Sequence, residues 1–426
     1  MMHSGFVAVA DEWPQWRGPQ RDGVWRETGI IGEFKSDRIE AVWRQPIGSG
    51  YSGPTVADGR VYVTDRIVEP EQIERVHCFD WKTGEKAWSY QYACDYTIGY
   101  TAGPRASVTV EDGRAFALGA MGHFHCFDAA SGKVLWMHDL NEEYKIEESR
   151  RMPIWGIASS PLIYQGLVIV SIGATNDASI VAFDRQTGKE RWRTLNDRAQ
   201  YSAPILVQQA GRDVMVCWTG DSVAGVDPES GKVYWRVVFT PHKMPIGIAT
   251  PVVDGDRLFV TSFYDGSLML RLRQDEIDAE TIWKRSGRDE KNTDALHSII
   301  STPLLEGEYI YGVDSYGELR CLEAATGDRI WEDQTATPRN RWSNIHFVRN
   351  GERIWMFNEM GELIISTLDS KGFHEISRAR LIDPTPEQLS GNGRRTGVCW
   401  AHPAFAHKHV FIRNDSEIIC ASLAAD

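Results

Sequence analysis

Apolar residues in this chain come in short runs that alternate with polar turns, and the 3.6-residue period of an amphipathic helix is missing throughout. The clearest unit covers residues 106–138. It offers four strand-sized segments, Ala106–Val110, Arg114–Gly119, His123–Phe127 and Lys133–His138, with Glu111-Asp112-Gly113 and Met121-Gly122 as the first two turns. The first turn returns as Asp58-Gly59, Gln165-Gly166, Asp254-Gly255, Glu306-Gly307 and Asn350-Gly351, where Gly supplies the positive backbone dihedral of a tight hairpin. The third and fourth segments are joined by a longer pattern, an apolar residue, Asp, two variable residues, Ser/Thr-Gly, three residues and Trp. Phe127-Asp128, Ser131-Gly132 and Trp136 spell it out, and it recurs around Asp80 and Trp88, Asp184 and Trp192, Asp227 and Trp235, and Glu323 and Trp331.

Trp43 and Trp283 fall in register with these copies, and one further step reaches Ile376, an eighth copy with Ile in place of Trp. Eight units of four strands predict an all-β, eight-bladed β-propeller of four-stranded antiparallel blades. The last unit supplies only three strands before the chain stops, whereas the first Trp strand, Ala41 to Arg44, arrives with none before it. The N-terminal strand is therefore expected to close the last blade, which removes an open edge. On this reading residues 40–426 are one propeller, 11–39 a tail packed on it through Trp13 and Trp16, and 1–10 the remnant of a secretory signal ending Ala8-Val9-Ala10. Export to the periplasm or beyond the cell follows.

Composition narrows the partners. A formal net charge of -13, with no basic run longer than Arg394-Arg395, argues against nucleic acid. No apolar run approaches the ~20 residues of a membrane-spanning helix, and a monomer is expected. Of the seven cysteines, Cys78, Cys126, Cys321 and Cys420 occupy one slot in their repeats, so they read as small buried apolar residues in separate blades. No zinc-ligand spacing occurs, and no metal site is expected.

Seven Trp residues in equivalent fourth strands, Trp43, Trp88, Trp136, Trp192, Trp235, Trp283 and Trp331, cannot all reach one ligand, and they read as wedges between blades. Propeller topology places a site instead on the face that carries the inter-blade connectors and the turns between second and third strands. Those turns hold Asp65, Asn176-Asp177, Asp221, Asp265, Asp314, Glu359 and Asp415, and two connectors, Asn141 to Gly156 and Ile382 to Val398, are long. Tyr51, Arg105, Trp155, Tyr201, His297, Trp342, His346, Trp400 and His402 begin the inner strands near the axis. Aromatic, cationic and carboxylate groups together suit a polar organic ligand such as a quinone or a saccharide, while the bland alternative is that the Asp residues cap hairpins and the aromatics plug the channel. Ser390-Gly391-Asn392-Gly393-Arg394-Arg395 reads as a flexible basic loop, since no helix follows it to make a phosphate loop.

The recurring Phe127-Asp128 to Trp136 pattern resembles the docking motif of quinoprotein propellers, the PQQ-like repeat shared by PQQ-dependent alcohol dehydrogenases and the assembly lipoprotein BamB. The resemblance covers residues 40–426. The opening Trp13-Pro14-Gln15-Trp16-Arg17-Gly18-Pro19, with Gly50-Tyr51-Ser52-Gly53-Pro54, is similar more narrowly to exported PQQ-like repeat proteins of planctomycete-type bacteria. Two functions are implied. One is a BamB-like scaffold that binds a protein partner or a small polar ligand. The other is a dehydrogenase of alcohols or sugars, which in this family holds PQQ against a Trp floor beneath a pair of adjacent cysteines, with calcium on Glu, Asn and Asp. No Cys-Cys pair occurs here, and no Cys lies near residue 10 to accept a lipid.

Overall fold

A computed structural model describes residues 12–389 and 396–425; the signal-like segment 1–10 and the loop Ser390 to Arg395 lie outside the described residues. Eight four-stranded antiparallel sheets form the fold. Seven are continuous in sequence, at 55–93, 109–139, 162–194, 205–238, 252–285, 304–333 and 345–380. The eighth takes three strands from 404–422, and its outer strand is Ala41–Pro46, paired with Glu417–Ser422. The N-terminal strand thus closes the last blade.

In most blades the inner strand is the shortest. In the second blade it runs only over Thr109–Glu111, because Ser107 turns to its neighbours instead of the ladder. Its N–H donates to Ser160 Oγ at 3.0 Å and its hydroxyl to the Gly53 carbonyl at 3.1 Å, tying three blades together near the axis. One short helix, Leu140–Tyr144, opens the connector after this blade, capped by Asp139, which accepts from the Glu142 N–H at 3.1 Å. Five residues are too few to leave a helical period in the sequence.

The repeated Gly turns take two main geometries, and Gln165-Gly166 departs from both, since there Gln165 and not the glycine takes the positive φ, at 51°. Asp58-Gly59 and Asp112-Gly113 have both residues at positive φ, at 51° and 72° and at 47° and 70°. At Gly255, Gly307 and Gly351 the glycine stands first in the loop, at 61°, 56° and 59°, and an acidic residue follows it at negative φ.

The Ser/Thr-Gly-Trp pattern works between neighbours. Trp88 of the first blade lies on Gly132 of the second, so close that a Cβ on Gly132 would stand 2.5 Å from the indole. Trp43 meets Gly84, Trp136 meets Gly188, Trp192 meets Gly231 and Trp283 meets Gly327 in the same way. The indole N–H of Trp43, Trp88, Trp136, Trp283 and Trp331 donates to a carbonyl of the next blade's turn at 2.8–3.2 Å. Trp235 differs, donating to Gln209 at 3.0 Å. Cys78, Cys126, Cys321 and Cys420 sit directly across the ladder from Trp88, Trp136, Trp331 and Trp43. All seven cysteines are free and buried.

In the seventh blade the Trp slot falls on Ser377, not on Ile376. The bulge that precedes the slot in other blades lies here between Ile365 and Ser366, and the residue paired with Ile365 is Ser377; Ile376 is 43% exposed. The tail fills the gap. Phe34 donates its N–H to Ser377 Oγ at 2.9 Å, and its ring stands edge-on to Trp355. Trp25 packs on Trp355 and Phe405, and the largest hydrophobic cluster gathers there, where the seventh, eighth and first blades meet the tail.

Candidate functional site

The tail also sets the floor of the axial channel. Trp13 bridges to Val56, and the Pro14 carbonyl accepts from the Val110 N–H at 2.9 Å, so this segment lies along the inner-strand turns. Arg21 is buried there, donating to the Pro161 carbonyl and, at 3.0 Å, to the Pro204 carbonyl; burial without a carboxylate lowers its pKa to about 9. From this anchor Trp16 enters the axis. Its indole donates to Thr250 Oγ1 at 2.8 Å and packs 5.1 Å from the His402 ring.

Above Trp16 lies a cavity walled by aromatic and aliphatic side chains. Tyr51, Arg105, Trp155, Tyr201, Trp342, His346, Trp400 and His402 all line it, and Tyr100, Ile248, Ile300 and the Ser160 hydroxyl are among the rest of the wall. Tyr100 stands in the middle of the mouth, 5.6 Å from Trp155, 5.4 Å from Trp342 and 6.3 Å from Trp400. Tyr100 and Trp342 hold φ of 57° and 71°, a backbone region that bulky residues rarely occupy and that tends to be retained at ligand sites. Arg105 secures the connector that carries Tyr100. Its guanidinium donates to the carbonyls of Gly103, Gly99 and Tyr100, and it lies 4.8 Å over the Tyr51 ring. Trp400 donates to Glu359 Oε2 at 3.2 Å behind the wall.

Asp221, Asp265, Asp314 and His297 stand outside the cavity lining, each engaged elsewhere. Each aspartate accepts the N–H of its own blade's incoming connector. Arg198 N reaches Asp221 at 2.8 Å, His242 N reaches Asp265 at 2.9 Å and His297 N reaches Asp314 at 2.6 Å. Asp65 accepts likewise from Gly48, and Asp415 accepts from Gln388 N of its own connector and from Gly50 N of the connector into the first blade, each at 3.3 Å. Burial alone would raise the Asp221 carboxyl, but hydrogen bonds from Arg198 outweigh it and hold the group below the usual carboxylate range. His297 spends both nitrogens, Nδ1 donating to Phe263 O and Nε2 accepting from Gly287 N, each at 3.0 Å.

Tyr100 and Trp16 carry no signal in the repeat. Tyr100 sits in the connector 94–108, where Gly99 and Gly103 bracket it, and Trp16 belongs to a tail without a period. The Gly-rich connector is the one feature that marks out Tyr100.

A family profile described as outer membrane protein assembly factor BamB matches residues 72–333 and 176–425, most of the propeller. The chain belongs to the PQQ-like β-propeller family. Within it, the BamB of Burkholderia pseudomallei is 23% identical over 300 residues, 69% of this chain and 59% of that protein. The dehydrogenase subunit of the quinone alcohol dehydrogenase of Acetobacter aceti is 25% identical over 309 residues, 67% of this chain and 38% of that protein. The chain thus spans less than two thirds of either relative. Among solved structures, BamB from Moraxella catarrhalis superposes with a TM-score of 0.55 at 16% identity, covering 89% of this chain and 98% of that one. The quinohemoprotein alcohol dehydrogenase ADHIIG of Pseudomonas putida gives 0.58 at 12% identity, covering 98% and 81%. Both likenesses concern the fold.

The pair of PQQ and calcium can be tested against the residues present. Calcium takes roughly six to eight oxygen ligands, yet among the described residues no three or more His, Cys, Asp or Glu are grouped so as to hold a metal ion. Among the same residues no carboxylate lines the cavity, and Arg105, its one guanidinium, already serves three carbonyls. PQQ is a tricarboxylate. This wall offers too few cations for PQQ and no oxygen set for calcium, so the pair does not fit.

Proposed function

We propose that this chain is a binding scaffold, an exported BamB-like propeller that presents one recognition site at its axis. The observation that carries the reading is the mouth of the cavity. Connectors that share no repeat bring Tyr100, Trp155, Trp342 and Trp400 together there, without a carboxylate among the described lining residues to act as base. Such a surface binds by burying aromatic area and by offering a few fixed polar groups. Beside it Ile154 is 54% exposed, a single apolar side chain that a bound partner would cover. Kinship with factors named for outer membrane protein assembly supports the same reading, and a periplasmic or secreted location accords with it. No helix among the described residues is long and apolar enough to cross a membrane.

The test is reconstitution with PQQ and calcium. The expected result is no reduction of an electron-acceptor dye when alcohols or sugars are supplied, and no PQQ-dependent thermal shift. Dye reduction that requires both PQQ and calcium would overturn the scaffold reading in favour of a quinoprotein dehydrogenase.

A further inference from the structure

The inner end of the axial cavity is built from two histidines. His346 and His402 lie with ring centroids 4.9 Å apart, and both are almost fully buried. His402 Nδ1 donates to the Pro403 carbonyl at 2.5 Å, which leaves Nε2 as a bare acceptor, and that atom has no partner. His346 Nε2 donates to the Trp400 carbonyl at 2.9 Å, so its Nδ1 is likewise a lone pair. Burial keeps both rings neutral, lowering His346 to about 4 and His402 well below the ordinary histidine value. Among the described residues the ring neighbours of His402 are His346 and the tail residues Trp13 and Trp16, so it sits at the floor. At the other end, among Tyr100, Trp155 and Trp400, Trp342 Nε1 is a buried donor without a partner. Buried polar atoms are nearly always paired, and these two, each with almost no accessible surface, belong to side chains that line the two ends of one cavity, so a small shift of either ring on ligand entry would complete them.

We propose that the cavity takes an uncharged hydroxylated aromatic, a phenol or hydroquinone, whose hydroxyl donates to His402 Nε2 while its ring lies among Trp155, Trp342 and Trp400. The inference rests on reading the cavity as a binding site. The wall decides against other chemistries. A ligand carboxylate would meet only Arg105, whose guanidinium is committed, and a ligand cation would meet no carboxylate among the described lining residues. A saccharide would bury several hydroxyls against a wall that is mostly indole and isoleucine, where the Tyr51 hydroxyl already donates to the Gln388 carbonyl and too few polar groups remain to pair them all. A quinone brings only acceptor oxygens and would leave His402 Nε2 unpaired. A hydroquinone supplies a donor at the floor and, across the ring, an oxygen to accept from Trp342 Nε1. Binding alone is proposed, with no turnover of the ligand.

The experiment is calorimetric titration at pH 7.5 with hydroquinone, its ether 1,4-dimethoxybenzene and methyl glucoside, on the native chain and on His402→Phe. Hydroquinone is expected to bind roughly 10- to 100-fold more tightly than the ether, the discrimination expected of one buried hydrogen bond. His402→Phe is expected to erase that preference while the affinity for the ring persists. Equal binding of the ether overturns the inference but leaves an aromatic-binding cavity. Binding of the glucoside alone also overturns it and keeps the cavity as a site, and binding of none of the three overturns it outright. If His402→Phe does not fold, the comparison of hydroquinone with its ether on the native chain decides the matter alone.

Discussion

Gly132→Ala is expected to cost about 3 to 4 kcal/mol of stability, whereas Gly113→Ala in the same blade costs about 1 kcal/mol. Both glycines hold nearly the same backbone, φ 71° and φ 70°, so the strain of an L-residue in the left-handed region is common to both. They differ in what an added methyl would meet. At Gly132 it would stand 2.5 Å from Trp88 Cδ2 and 2.7 Å from Cε3, ring carbons that cannot yield without lifting the wedge between two blades. At Gly113 nothing lies within 4 Å. Urea midpoints of the two variants, measured side by side, isolate the docking contribution. Equal losses would mean that the indole does not rest on the glycine.

A second large effect is expected at His125. The ring is fully buried between Tyr92, Tyr90 and Phe127, and neither nitrogen has a partner. Burial, with His123 adding a smaller push, lowers its pKa to about 4. The unfolded chain titrates this residue near ~6.5. Between those values the unfolded state binds a proton that the folded state refuses. The contribution of the neutral ring is therefore complete above about pH 6.5 and is lost as pH falls toward about 4. Integrated over that window the loss is about 3 kcal/mol. His125→Phe keeps the shape and removes the proton. The variant is expected to be more stable than the parent at pH 5 and to show a shallower fall in unfolding free energy between pH 7 and pH 4.5. Asp415, raised by burial, works in the opposite direction and is untouched by the substitution. An unchanged pH slope would place the acid sensitivity elsewhere.

These two sites also show what the sequence makes legible. The wedge is visible in the primary structure because the same contact must be built again and again, so the Gly and Trp that make it return at fixed spacing. The slot shared by Cys78, Cys126, Cys321 and Cys420 is legible for the same reason, since each faces a Trp across its ladder. The repeat misleads where a local bulge changes the count. Counting forward reaches Ile376, but the irregularity at Ser366 moves the slot to Ser377, and Phe34 of the tail covers it. The turns show a similar ambiguity, because a Gly in either loop position reads alike until the strand pairing is known.

The site is less legible, and the reasons are physical. An aspartate at the turn between second and third strands can point at a ligand or clamp a connector, and the residue type is the same in both cases. What separates Asp221 and Asp314 from the cavity is the N–H each accepts from its own connector. Trp155, Tyr201, Trp342 and Trp400 stand three to seven residues ahead of their inner strands and not in them, yet their place follows from topology, because each connector must pass beside the axis before its inner strand begins. Tyr100 and Trp16 reach the same cavity through a loop and a tail, whose paths no periodicity describes. His125 carries the same lesson for packing. It opens a His-Cys-Phe-Asp string that the first blade repeats at His77, yet the two rings meet different surroundings. His77 has Asp65 and Ser89 each at 3.0 Å, whereas His125 is enclosed by tyrosines and phenylalanine.

The most direct measurement of the central claim is a crystal structure of the chain soaked with a mixture of small aromatic fragments. A binding site at the axis predicts fragment density between Tyr100, Trp155 and Trp342 above Trp16, absent from crystals of Trp342→Ala. Fragments bound only on the outer strands, with the axial cavity empty at saturating concentration, would contradict it.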